Sequence, residues 1–117
     1  MHLYDMSNFL SSSGDPSSSV ICTKINVTEG VPSSRWGHAS EYSEGKLYII
    51  GGRNEADIND LHEFDTINMK WKQVDINGYV PKARRRHSAL VMSGSLIMFG
   101  GFDGSFFNDM HVLDLKQ

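Results

Sequence analysis

A chain of 117 residues has room for at most one small domain with a modest core. With 39% hydrophobic and 21% charged residues and a net charge of −3, it has the balance of an ordinary globular protein and no electrostatic footprint for nucleic acid or an anionic membrane. Its single cysteine, Cys22, excludes an internal disulfide and a cysteine-based zinc site, and no run approaches the roughly 20 apolar residues needed to span a bilayer.

The chain opens on Met1-His2-Leu3-Tyr4-Asp5, which parallels Leu61-His62-Glu63-Phe64-Asp65 and Met110-His111-Val112-Leu113-Asp114. It therefore reads as the third strand of an opening partial unit. The same start has no basic cluster and no apolar run, unlike a secretory signal, so the cytoplasm is the expected compartment. Residues 11–19 are dominated by Ser, with Gly14 and Pro16 among them, a composition that disfavours packing and predicts a loop insertion. Val20 to Val27 is the expected fourth strand of the opening unit, which spans residues 1–31.

From Pro32 the sequence repeats itself 49 positions on, without a gap, as far as Asp65 and Asp114, with 11 identities in 34 aligned positions. Among the matches are Pro32 and Pro81, Arg35 and Arg84, His38 and His87, Gly51-Gly52 and Gly100-Gly101, and Asn59-Asp60 and Asn108-Asp109. Inside residues 32–80 the expected strands are His38–Ser43, Lys46–Ile50 after a Glu44-Gly45 turn, Leu61–Asp65, and about Lys70 to Asp75 around Trp71. Residues 81–117 repeat the first three, with His87–Met92, a Ser93-Gly94 turn and Leu96–Phe99, then stop short of a fourth. The apolar runs before the paired glycines imply middle strands buried on both faces. Four short antiparallel strands per unit of about 50 residues describe a propeller blade better than a flat sheet. The predicted class is all-β, with one complete four-stranded blade between two partial ones.

An apolar run ending in Gly51-Gly52, then Asn59-Asp60, Phe64-Asp65 and Trp71, resembles the kelch repeat. The link from Gly78 through Pro81, Arg84 and His87-Ser88-Ala89 is similar to the G-x-x-P-x-x-R-x-x-H-S-A link of a long-repeat kelch group that includes Rab-effector, cell-polarity and leucine-zipper-like regulator proteins. The resemblance implies a β-propeller that binds protein partners. It also implies a ring of five to seven blades, so this chain reads as a fragment whose remaining blades come in cis or from other copies in trans. Three copies would make six blades, but each would carry one third strand too many. Two positions depart from the pattern. Cys22 stands where Trp71 predicts tryptophan, and Leu113 replaces an aromatic, which is expected to loosen both partial blades.

Residues that recur at the 49-residue spacing are read as scaffold: Gly51, Gly52, Gly100, Gly101, His38, His87, Arg35 and Arg84, with Trp71 as a core aromatic. Paired glycines at a strand end permit positive φ and close backbone approach. They form no phosphate loop, since the following Lys-Ser/Thr is missing. The histidines, one per blade position, are not expected to converge on a metal, and no cofactor is expected. Arg35 and Arg84 are expected to tie each blade to its neighbour, and Asn59-Asp60 and Asn108-Asp109 to bond loop backbone. Residues that break the repeat are the candidates for partner binding: Trp36, Arg53, Asn54, Arg85, Arg86, Phe102, Asp103 and Phe106. Arginines and aromatics on loops over a rigid scaffold are the raw material of binding hot spots. For Phe102, Phe106 and Phe107 two readings stand, a partner contact or a plug between blades. The functional expectation is a protein-interaction module, binding neither nucleic acid nor membrane and not an enzyme. A kelch-like enzyme of the galactose-oxidase or sialate-mutarotase type, or a nonfunctional truncated remnant, are the alternatives.

Overall fold

The computed structural model describes residues 19–115, so the expected strand at Met1–Asp5 and nearly all of the serine-rich stretch lie outside the described residues. The described chain is all-β. Strands β1 (Ala39–Ser43), β2 (Lys46–Arg53), β3 (Asp57–Asp65) and β4 (Lys70–Val74) form one antiparallel sheet in that order. Strands β5 (Ser88–Met92), β6 (Ser95–Phe102) and β7 (Phe106–Asp114) form a second.

Each sheet opens with a two-residue hairpin in which both turn residues take positive φ, Glu44 and Gly45 at 50° and 82°, Ser93 and Gly94 at 52° and 78°. This mirror-image turn matches the twist of the flanking strands and sets Ser43 opposite Lys46 and Met92 opposite Ser95. The hairpin is then locked to the third strand: Thr66 donates its amide and its hydroxyl to the Gly45 carbonyl, and the Leu115 amide repeats the bond to Gly94. At the turn into β4, the Asp65 carboxylate accepts the amides of Ile67 and Asn68 at 2.9 and 3.1 Å. Trp71 on β4 lies across Phe64 on β3 with ring centroids 4.9 Å apart.

The third strands begin four residues earlier than the sequence suggests. The paired glycines do not end β2 and β6. They form a bulge, after which the strands run on to Arg53 and Phe102 and pair with Asp57 and Phe106. The loops shrink to residues 54–56 and 103–105, and Asn59-Asp60 falls inside β3. Val20 to Val27 forms no strand, which corrects that expectation. Val20 and Ile21 are exposed, with no apolar surface among the described residues holding them in extended pairing. Leu113 is buried in the core, so the missing aromatic does not leave that position open.

The core sits between the two sheets. Tyr48, Ile50 and Leu61 from the first meet Leu96, Met98 and Leu113 from the second, with Ala89 and Val91 packed alongside. Burying each such side chain stabilises by about 1.5–3 kcal/mol.

Candidate protein-interaction site

Two link segments, residues 31–38 and 80–87, lead into the two sheets, and their repeating residues build the frame on which the variable ones stand. Arg35 and Arg84 play equivalent parts. The guanidinium of Arg35 donates to the Gly51 carbonyl at 3.1 Å and grips both carboxylate oxygens of Asp60. That of Arg84 donates to the Gly100 carbonyl at 3.0 Å and grips Asp109 in the same two-pronged way. Each side chain thus pins its link to its own sheet. Backbone groups cross to the neighbour: the Gly52 amide donates to the Arg84 carbonyl at 2.9 Å, and the Arg84 amide to the Ile58 carbonyl at 3.2 Å. Asp60 and Asp109 are therefore charge partners of arginine on β3 and β7, in place of the loop-backbone role expected for them. Hydrogen bonds from Arg84 hold the Asp109 carboxyl well below the usual carboxylate range, against burial. Burial would raise Asp60, but bonds from Arg35 and His62 outweigh it.

His62 and His111 lie within 2.8 Å of Asp60 and Asp109, His38 is exposed, and His2 lies outside the described residues. His87 is buried and its Nε2–H donates to the Ile50 carbonyl at 2.9 Å, so in the neutral ring Nδ1 is the unprotonated atom, and it has no partner among the described residues. Burial pushes the His87 pKa below its ordinary 6.5, outweighing the bond to Ile50 that raises it. The folded chain then holds this proton less tightly than the unfolded chain, so the stabilisation is full above pH 6.5 and is lost as pH falls through that value. The stability gap between wild type and His87→Gln, read from urea unfolding, is expected to stay level from pH 7.5 to about 6.5 and to narrow from there to pH 5. A gap independent of pH would mean the ring is not held neutral.

On this frame the variable residues gather at one end of the sheets. Isolated bridges join Trp36 to Arg53 and Arg85 to Phe102, and the Arg86 amide donates to the Gly37 carbonyl at 2.7 Å. Trp36, 46% exposed, is flanked by two guanidinium groups, Arg85 at 5.5 Å and Arg86 at 5.4 Å from the ring centroid. Arg85 also lies 4.8 Å from the Phe102 ring and donates to Asp57 at 2.7 Å, while Arg53 reaches the same carboxylate at 3.3 Å. Burial alone would raise the Asp57 carboxyl, but these two arginines hold it below the usual range. Phe106 leans on Phe102 with centroids 4.9 Å apart and is 88% exposed, whereas Phe107 packs beneath Arg84 at 3.9 Å. Asn54 and Asp103 are occupied within their own turns, accepting the amides of Ala56 and Ser105, and Asn54 also donates to Ser33.

The structure thus brings Trp36, Arg53, Arg85, Arg86, Phe102 and Phe106 together, and sets Asn54 and Asp103 as turn formers at the rim. Sequence reasoning missed Asp57, which organises two of the arginines. Its signal was there: Asp57 is Phe106 in the second repeat, the same break in the pattern that singled out the others. Among the described residues no group of three or more His, Cys, Asp or Glu side chains converges to hold a metal ion, and no helix is long and apolar enough to cross a membrane.

The profile of the KLHDC2/KLHL20/DRC7 kelch-repeats domain matches residues 1–117. The chain belongs to the kelch-repeat family. Kelch-repeat domains are generally protein–protein interaction modules, and the two sheets are kelch blades of a β-propeller. The chain is also similar to the rice (Oryza sativa subsp. japonica) protein described as tRNA wybutosine-synthesizing protein 2/3/4, 33% identical over 60 residues. That match covers 50% of the kelch chain and 6% of the rice protein.

Proposed function

We propose that this kelch chain serves a cytoplasmic, non-enzymatic interaction module and docks a partner protein on the cluster of Trp36, Arg53, Arg85, Arg86, Phe102 and Phe106. The repeat units contributing to it are residues 32–80 and 81–117, preceded by a partial unit over 1–31. The observation that carries this reading is the half-exposed indole of Trp36 held between two arginines at the junction of two blades. Tryptophan and arginine dominate binding hot spots because they bury large area on forming a contact and lose little side-chain freedom when already packed against each other. A net charge of −3 over the chain argues for a protein partner over nucleic acid or membrane.

Trp36→Ala and Arg86→Gly test it. Arg86 sits at φ 57°, a conformation glycine adopts readily, so its removal leaves the backbone at ease. Proteins retained by the immobilised chain, quantified by mass spectrometry, are expected to fall at least about 10-fold with either variant, equivalent to about 1.4 kcal/mol of binding. Thermal midpoints should stay close to wild type. Undiminished retention with both variants folded would remove this face as the docking surface.

A further inference from the structure

The two copies exchange residue types at the joint between the blades. Trp36 bridges Arg53 in the first copy, and at the equivalent positions Arg85 bridges Phe102 in the second. Gly37 gives way to Arg86, which keeps the left-handed backbone of the glycine, φ 57° against 68°. An L residue is strained in that conformation, and strain of this kind gathers at sites of binding. The Arg86 side chain also answers no charge: it lies over the Trp36 ring and meets no carboxylate among the described residues.

Arg53, Arg85 and Arg86 bring three positive charges to this joint, and Asp57 brings one negative charge. Lys82 is paired with Asp103. In a chain of net charge −3 the joint is thus positive, by three charges less one. Asp57 holds Arg85 through one N–H at 2.7 Å, while the buried Nε of Arg85 has no acceptor among the described residues. The Arg85 guanidinium therefore has bonding capacity that Asp57 does not use. Asp57 is shared with Arg53 at 3.3 Å, so Arg85 can turn to another anion without leaving that carboxylate unpaired.

We infer that the docking surface proposed above takes an Asp or Glu side chain of its partner between Arg85 and Arg86, against the Trp36 ring, with Asp57 as a built-in competitor that sets the affinity. The inference rests on that docking surface. A carboxylate matches a guanidinium in charge and in the spacing of its two oxygens. The acid belongs to the middle of a segment, because Trp36 and Arg86 are exposed and a partner can run past them in both directions. Selecting a chain end takes a wall that stops a continuing chain. In the complex Arg85 exchanges Asp57 for the incoming carboxylate and Arg53 keeps Asp57 neutralised, so each carboxylate has its guanidinium.

Random peptides of about 12 residues, displayed on phage with their C-termini fused to the coat protein, are selected on the immobilised full chain. The selected sequences are expected to carry Asp or Glu beside an apolar residue. Synthetic copies with amidated C-termini should lose affinity at least about 10-fold when that acid becomes Asn or Gln. Asp57→Asn should tighten the acidic peptides about 3-fold or more and leave their amide counterparts unchanged; equal affinities would overturn the role given to Asp57. Arg86→Gly, which suits the backbone, should remove most of the preference for acid over amide, and it decides the matter if circular dichroism shows Asp57→Asn unfolded. Peptides that need Trp36 but show no preference for acid overturn this inference and leave the docking surface standing. Acidic peptides indifferent to both Trp36→Ala and Arg86→Gly sink the two together. Failure to select any peptide also overturns the inference, as does full recovery of the amide variants by a free C-terminal carboxylate, which would mean that a chain end is read.

Discussion

Arg84→Met is expected to lower the unfolding free energy by about 3 kcal/mol, the low end of what breaking a buried ion pair costs. The low end applies because the two partners are unequally buried: the Arg84 side chain is 2% exposed and that of Asp109 37%, so water recovers part of the orphaned carboxylate. Methionine keeps most of the volume above Phe107 but gives up the bonds to the Lys82 and Gly100 carbonyls as well as to Asp109. The link from Pro81 to His87 would then lose its side-chain anchor to the second blade, keeping the Arg85–Phe102 backbone bridge there and its backbone bonds to the first. Adding Asp109→Asn should return a measurable part of the loss, since the unpaired charge is then gone. Acid provides an independent check. The Asp109 carboxyl is depressed in the folded chain, so its contribution is full above the ordinary 3.8 and disappears as pH falls below it. The gap between wild type and Arg84→Met should therefore close in that range. Urea unfolding at neutral pH with a loss under about 0.5 kcal/mol would mean the pair is no better than a screened surface contact.

The fold was legible because the repeat is written in residues whose backbone or charge requirements are strict. Gly45 and Gly94 mark hairpins, Gly51-Gly52 and Gly100-Gly101 mark the bulges, and the register between copies carries every strand of one sheet onto its equivalent in the other. What sequence could not resolve was where pairing resumes after a bulge. A double glycine looks like a strand end, since neither residue brings a side chain to pack, yet its positive φ values turn the strand without ending it. The candidate site was legible only as a set of repeat-breaking positions. That Arg85 would choose Asp57, or that Phe107 would slide beneath Arg84 while Phe106 stays outside, depends on strand parity past the bulge. One residue of register exchanges the two phenylalanines. Val20 to Val27 shows the opposite failure: a β-branched composition that pairs with no strand among the described residues does not form one there.

Gly51→Ala and Gly100→Ala make a matched pair whose difference measures the joint between blades. Both positions take nearly the same backbone conformation, φ 69° and 68°, so the strain of placing an L side chain there, about 1–2 kcal/mol, is common to the two. Only Gly51 adds a collision, with the His87 ring at 2.7 Å and the Arg84 carbonyl at 3.0 Å. Overpacking of this kind costs a further 1–3 kcal/mol or so, which puts Gly51→Ala at about 2–5 kcal/mol in all. Gly100→Ala should stay at about 1–2 kcal/mol in urea unfolding at concentrations where the chain is monomeric. His87→Ala separates the parts of the penalty. With the ring removed, only the carbonyl contact remains, and the cost of Gly51→Ala should fall toward that of Gly100→Ala. A double-mutant cycle showing no coupling between positions 51 and 87 would mean that His87 does not hold the seat between the blades. Equal costs at the two glycines would say the same of the whole link, because the segment from Pro81 to His87 fills the seat at Gly51 and nothing equivalent among the described residues fills that at Gly100.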